Sequence, residues 1–182
     1  MLHTPPVVQN LLTEAGTLAN QALEAVGIKK EVPLIAPPHP KNNILGETYT
    51  TLGAIRFGDY VAKVSVAPLS DNVKALAGQA VDIQEPEGWS NLVQEFFRTQ
   101  GAEYELRAQL STDLQTMPVE DGSVDWPQDQ SPYQGLGRLV IPAQDSFSPA
   151  RRVFADDQLS FNPFHCLPEH QPLGSINRVR IK

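Results

Sequence analysis

The amino-acid sequence predicts an α+β fold with a few antiparallel strands, two or three helices and long, shaped loops. Three observations lead there. Residues 59–66 and 103–111 alternate apolar and polar side chains with the period of two that a half-buried strand requires. Residues 4–27 and 90–100 space their apolar side chains at helical period. The 16 prolines among 182 residues fall in clusters, which terminate elements early and leave the rest of the chain to loops.

The elements follow in order. Across residues 4–27, Val7, Val8, Leu11, Leu12, Ala15, Leu18, Ala19, Ala22, Leu23 and Val26 share helical spacing. Thr4 is placed to cap this helix, Pro5 and Pro6 suit its first turn, and Gly27 stops it. Residues 29–43 contain Pro33, Pro37, Pro38 and Pro40 and read as an ordered, extended connector. In residues 59–66, Tyr60, Ala62, Val64 and Val66 share one strand face, while Val61, Lys63 and Ser65 share the other. Residues 71–78 predict a short helix capped by Asp71. Residues 90–100 predict a firmer one, burying Leu92, Val93, Phe96 and Phe97 before Gly101. The clearest strand is 103–111, where Tyr104, Leu106, Ala108 and Leu110 alternate with Glu103, Glu105, Arg107 and Gln109. A third strand over 136–141 ends at Pro142. An acidic, Trp-containing loop precedes it, and the chain beyond Pro142 reads as largely irregular. So few strands with one polar face cannot close a barrel, and the sheet edges need a cover.

Composition narrows the function classes. With 14 Lys+Arg against 21 Asp+Glu, the net charge of -7 disfavours phosphate-backbone binding, so no nucleic-acid partner is expected. The single cysteine, Cys166, excludes an internal disulfide and any CxxC-type metal site. No apolar run approaches the ~18 residues of a membrane-spanning helix. The N-terminus lacks a basic stretch leading into an apolar core, so the expectation is a cytoplasmic protein without a membrane partner.

Residues 56–68, 117–126 and 144–151, together with a closing stretch over 159–180, resemble the haem catalase superfamily in its divergent catalase-like branch. In the closing stretch Phe161-x-Pro163-Phe164 precedes His170-x-Pro172-Leu173-Gly174 and then Asn177-Arg178. With 109–127 and 141–154, the similarity extends over residues 41–182. The resemblance implies a haem cofactor and an antiparallel β-barrel with helices around it. Residues 1–182 would then be a single incomplete domain, with a helix and Pro-rich connector over 1–40. Residues 41–182 would supply the second part of the barrel and the C-terminal loop region.

Family members dismutate hydrogen peroxide, and some relatives convert fatty-acid hydroperoxides. Active enzymes use a His and an Asn above the haem, and a Tyr below it that ligates iron beside an Arg. In the family the His and Asn come from earlier segments, and His3 sits in no such motif. Where Tyr-x-Asp is expected, this chain has Phe161, Pro163, Phe164 and His165. Anchoring on Phe161 sets Pro163 at the Tyr position, and anchoring on Leu173-Gly174 sets His165 there. His165 is therefore the one candidate haem ligand. The resulting expectation is a catalase-like haem protein without the distal His segment and the proximal Tyr, inactive in peroxide dismutation alone. The alternatives are a non-catalytic binding or structural module derived from this fold, and a lipid-hydroperoxide-converting relative. A barrel half with exposed edges further implies either a self-pairing oligomer or a separate N-terminal half as partner.

The remaining residues carry weaker readings. His165, Cys166 and His170 form HCxxxH, a set of soft ligands or, as expected here, a packed loop with Cys166 buried and inert. Glu120, Asp121, Asp125 and Asp129 crowd one loop, where a solvated charge run is expected rather than a cation site. Trp89 and Trp126 are expected to seal the core edge. Arg151, Arg152, Arg178 and Arg180 are expected at the surface, with haem propionates or an oligomer neighbour as the other reading. Lys63, Arg107 and Gln109 lie on the polar strand face. That face is expected to be a solvated exterior, or, in a closed barrel, to point inward toward a cofactor.

Overall fold

A computed structural model describes residues 41–83, 85 and 87–180. The helix expected over 4–27 lies outside the described residues, as does all but the end of the connector after it. A compact unit spans Asn42–Lys182. Its centre is an antiparallel sheet of five strands: β1 (Tyr49–Thr50), β2 (Ile55–Phe57), β3 (Tyr60–Pro68), β4 (Ala102–Leu110) and β5 (Gln134–Ile141). The spatial order is β1-β3-β4-β5, with β2 pairing on β3 as well. Among the described residues this sheet stays open, so the barrel implied by the resemblance is not formed by these strands.

Register follows from the alternation in the two long strands. β3 and β4 pair Val66 with Leu106, Val64 with Ala108 and Ala62 with Leu110 on one face. On the other face they pair Lys63 with Gln109 and Ser65 with Arg107. A slip of one residue would exchange these two sets.

The apolar face is covered by helices. After a 3-10 turn (Ile44–Gly46), a short α1 (Asp71–Lys74) and the longer α2 (Gly88–Thr99) pack there. Leu45, Val73, Phe97, Ala102 and Tyr104 form a buried cluster, with Val66, Leu92, Val93 and Phe96 against it. The Tyr104 hydroxyl, inside this cluster, donates to the Leu45 carbonyl at 2.9 Å, so its one polar atom is satisfied. Asp71 is not the cap of α1 but its first residue; Ser70 precedes it, and its hydroxyl is taken by Asn72.

Among the described residues β5 pairs only with β4 and forms the sheet's long edge. All of its residues except the last are exposed, including Leu136, Leu139 and Val140.

The chain after Pro142 is more regular than its composition suggested. α3 (Pro149–Asp157) begins with the Ser148 hydroxyl accepting the Arg151 amide and Pro149 in the first turn, a start signal already present in the sequence. A second 3-10 turn (Pro168–His170) and α4 (Gly174–Val179) follow. This closing segment runs beside β2. The Arg56 amide donates to the Gln171 carbonyl at 2.7 Å, Gly58 to Glu169 at 3.0 Å, and Leu173 to Ala54 at 2.8 Å. Buried Asn177 donates to the Leu173 carbonyl at 2.7 Å and sits against Gly53, where an added Cβ would meet its amide. Gly174 has φ +84, and a Cβ there would run into the Val119 carbonyl. That position needs glycine both for its left-handed backbone and for the close approach.

No helix among the described residues is long and apolar enough to cross a membrane.

Truncating the helix–sheet core at its centre tests this packing. Phe97→Ala should lower unfolding stability by about 3–5 kcal/mol in a denaturant titration. A loss below roughly 1 kcal/mol would mean that α2 does not carry the core.

Candidate functional site

The polar face of β3 and β4 is not solvated. Lys63 is 6 % exposed and Gln109 only 1 %, and Ser65, next to Lys63 on this face of β3, is buried as well. Residues 112–133 lie over this face. A loop cover has a requirement that a helix cover lacks, because its backbone carbonyls are unpaired unless the covered surface supplies donors. Gln109 donates its amide to the Trp126 carbonyl at 3.1 Å and the Ser131 carbonyl at 2.8 Å. Lys63 donates through Nζ to the Val124 carbonyl at 3.0 Å, and the Ser131 hydroxyl returns a bond to the Leu110 carbonyl at 2.7 Å. The expectation of a solvated exterior is corrected on this point, since alternation fixes which residues share a face but not what covers it.

The loop brings its own small core. Met117 and Trp126 are buried with Ala54, against Val61 and Val119. The Trp126 indole N–H donates to the Pro118 carbonyl at 3.3 Å, and Lys63 Nζ stands 5.0 Å from the indole ring centroid, in cation–π range. Trp126 therefore seals a core edge, as expected of it, whereas Trp89 is half-buried.

Between this loop, β1 and the polar face is a cavity of about 300 Å³, lined by Thr50, Thr51, Lys63, Gln109, Asp125, Gln128 and Tyr133 among others. Lys63 lies at its inner wall. Burial pushes the Lys63 ammonium below its usual pKa, and the charges of Asp125 and Asp121 only partly oppose this. Burial, helped by Asp125, raises the Tyr133 phenol. No carboxylate lies within ion-pairing distance of Lys63 among the described residues. The cavity thus joins a desolvated cation to hydroxyl and amide groups. That combination is suited to holding a small polar molecule, and among the described residues it contains no nucleophile–base pair.

The other predicted site residues are dispersed. His165 is exposed in a turn, its amide donating to the Asn162 carbonyl at 3.0 Å. Cys166 is exposed rather than buried, because the turn carries it outward. His170 stacks on Phe57 with ring centroids 5.5 Å apart, so it packs the closing segment onto β2. Phe161 is 86 % exposed. Arg178 forms a two-pronged pair with Glu120 and lowers that carboxyl's pKa. Arg152 pairs with Asp156. Arg107 pairs with Glu105 along β4. Asp121 is taken by Ser123. No group of three or more His, Cys, Asp or Glu side chains is arranged to hold a metal ion among the described residues.

These residues do not fit haem. His165 lines none of the cavities found at the 300 Å³ site, along α2 or at the sheet edge. The one beside Leu45, Leu92 and Phe96, about 660 Å³, has no His, Tyr or Cys in its wall and carries Asp82 and Glu95, which would repel propionates. The hydroxyls of Tyr49 and Tyr104 are both donated to backbone carbonyls.

Among solved structures, a fungal catalase matches with a TM-score of 0.55 at 17% identity, covering 78% of this chain and 30% of that one. The fold is catalase-like. Catalase A from Saccharomyces cerevisiae matches with a TM-score of 0.53, also at 17% identity and with the same coverage of both chains. The chain therefore spans about 30% of the length of these catalases. No family model and no curated protein matches it. In this catalase-like fold the closing motif behind the sequence resemblance is a packing device. Asn177 holds the last turn against Gly53 and Ala54 just before β2, Gly174 seats it on Val119, and Arg178 ties it to Glu120 of the Trp126 loop.

The burial of Lys63 has a pH signature. Between its lowered native pKa and the ordinary 10.5, the unfolded chain holds a proton that the native chain has shed, so unfolding free energy rises with pH in that window. Wild type should gain stability relative to Lys63→Met as pH is raised from about 8 to 10 in paired denaturant titrations. A pH-independent difference would show that Lys63 titrates as if solvated.

Proposed function

We propose that this chain is a catalase-fold binding module that takes up a small molecule in the cavity beneath the Trp126 loop and does not dismutate peroxide alone. The observation that carries the reading is the buried, ion-unpaired Lys63 in the wall of a partly open polar cavity. A purely structural module needs a donor to the Val124 carbonyl there but not a charge, because a neutral donor would meet that carbonyl without the desolvation cost of an ammonium. The catalase-like haem protein of the sequence reading is the second possibility. In it, haem would reach this chain through His165, with the remaining ligands and the rest of the barrel supplied by other protein. β5 favours an added partner in either case. Its eight residues present a long edge, paired only with β4 among the described residues, with exposed Leu136, Leu139 and Val140, where a further strand from a second copy or a separate N-terminal half would continue the sheet.

Haem titration of the purified protein, followed at the Soret band and then by oxygen release on adding peroxide, separates the two. The binding-module reading expects no saturable band near one haem per chain and no oxygen release above that of free haem. A stoichiometric band abolished by His165→Ala would overturn it and restore a haem function with an unusual ligand.

A further inference from the structure

We infer that the cavity beneath the Trp126 loop is a site for a small monocarboxylate, with Lys63 as its counter-ion. This rests on the binding-module reading and goes beyond it by naming the ligand's chemistry.

Lys63 has lost nearly all contact with water, and its partners are one neutral carbonyl and the face of an indole ring. Neither neutralises it. A cation–π contact and one carbonyl bond recover only part of an ammonium's hydration, and among the described residues no carboxylate is close enough to do the rest. An ammonium has three N–H donors. One goes to Val124 and one direction faces the ring, which leaves donor capacity at the cavity wall. An anion entering the cavity would supply the missing counter-charge in a site where water screens poorly.

The rest of the wall sets the class. Thr50, Gln128 and Tyr133 line the cavity, and their side chains have no hydrogen-bond partner among the described residues. All three can donate to a carboxylate oxygen. Leu52 lines the same space and offers contact to a short alkyl chain. The Trp126 ring is buried and occupied by Lys63, so it is no platform for stacking a sugar or a base. Asp125, also in the wall, sets a limit on charge: one negative group is matched by Lys63, while a second would meet the Asp125 carboxylate. Volume points the same way, because about 300 Å³ suits a ligand of a few heavy atoms. A monoanion with a short apolar tail satisfies all of these features. Phosphate and dicarboxylates satisfy fewer.

The test compares butyrate with its neutral isostere butyramide and with the dianion succinate. Amide and side-chain NMR shifts of the intact protein are followed at Thr50, Gln128 and Tyr133. Butyrate should saturate those shifts and bind about tenfold or more tighter than butyramide, as a charge-assisted hydrogen bond to a buried ammonium requires. Succinate should bind more weakly than butyrate. Lys63→Met, which keeps the length of the side chain, should remove the preference for butyrate over butyramide. Equal affinity for butyrate and butyramide in wild type would overturn the carboxylate assignment while leaving a small-molecule site, and this comparison stands even if Lys63→Met fails to fold. A preference undiminished in folded Lys63→Met would also overturn it. If no probe shifts the cavity residues, both the assignment and the binding-module reading fall.

Discussion

Gln109 holds two layers of this protein together. It sits almost wholly buried in β4 opposite Lys63 of β3, and its amide is shared between two carbonyls of the overlying loop. A strand face covered by irregular backbone must present donors, since the carbonyls of such a cover have neither a helix nor a ladder to bond with. Gln109, with Lys63 beside it, meets that need. Replacing either with an apolar residue of equal size would bury orphaned carbonyls, each worth of order 1–3 kcal/mol. Trp126, Met117 and the cavity below them all depend on the loop being held in this position.

The two faces of the sheet thus solve one problem in two ways. Helix α2 satisfies its own backbone and asks only for apolar contact, so the strand face beneath it is Ala, Val, Ile and Tyr. The loop asks for hydrogen bonds, so the face beneath it is Lys, Ser and Gln. A cavity with polar walls forms where the loop's cover is incomplete, between Asp125, Tyr133 and the short β1. The closing segment runs along β2 and ties the loop back through Arg178 to Glu120. It touches the sheet on the side opposite β5, which pairs only with β4 among the described residues.

Much of this was legible in the residues themselves. The strict alternation of 103–111 and 59–66 located β4 and β3 to within a residue or two, and the spacing of Leu92, Val93, Phe96 and Phe97 located α2. The short β1 and β2 were missed because two or three residues show no period. α3 was missed although Ser148 and Pro149 form a recognisable helix start, since the segment after it buries nothing and so has no apolar stripe to read. Of the candidate site, Lys63 and Gln109 were singled out with Arg107 as one polar face, while Thr50, Gln128 and Tyr133 carried no local signal. His165 and Cys166 drew notice by chemical type alone, and they stand at the surface.

By itself the sequence determined which side chains share a face, where the long elements run and which family the chain resembles, because periodicity and motif order are properties of the chain read along its length. Only the tertiary structure decided which polar face is buried. That depends on a loop folding back from 17 residues beyond Gln109 and 61 beyond Lys63 to set its carbonyls over both, and a contact of that kind leaves no period in the sequence.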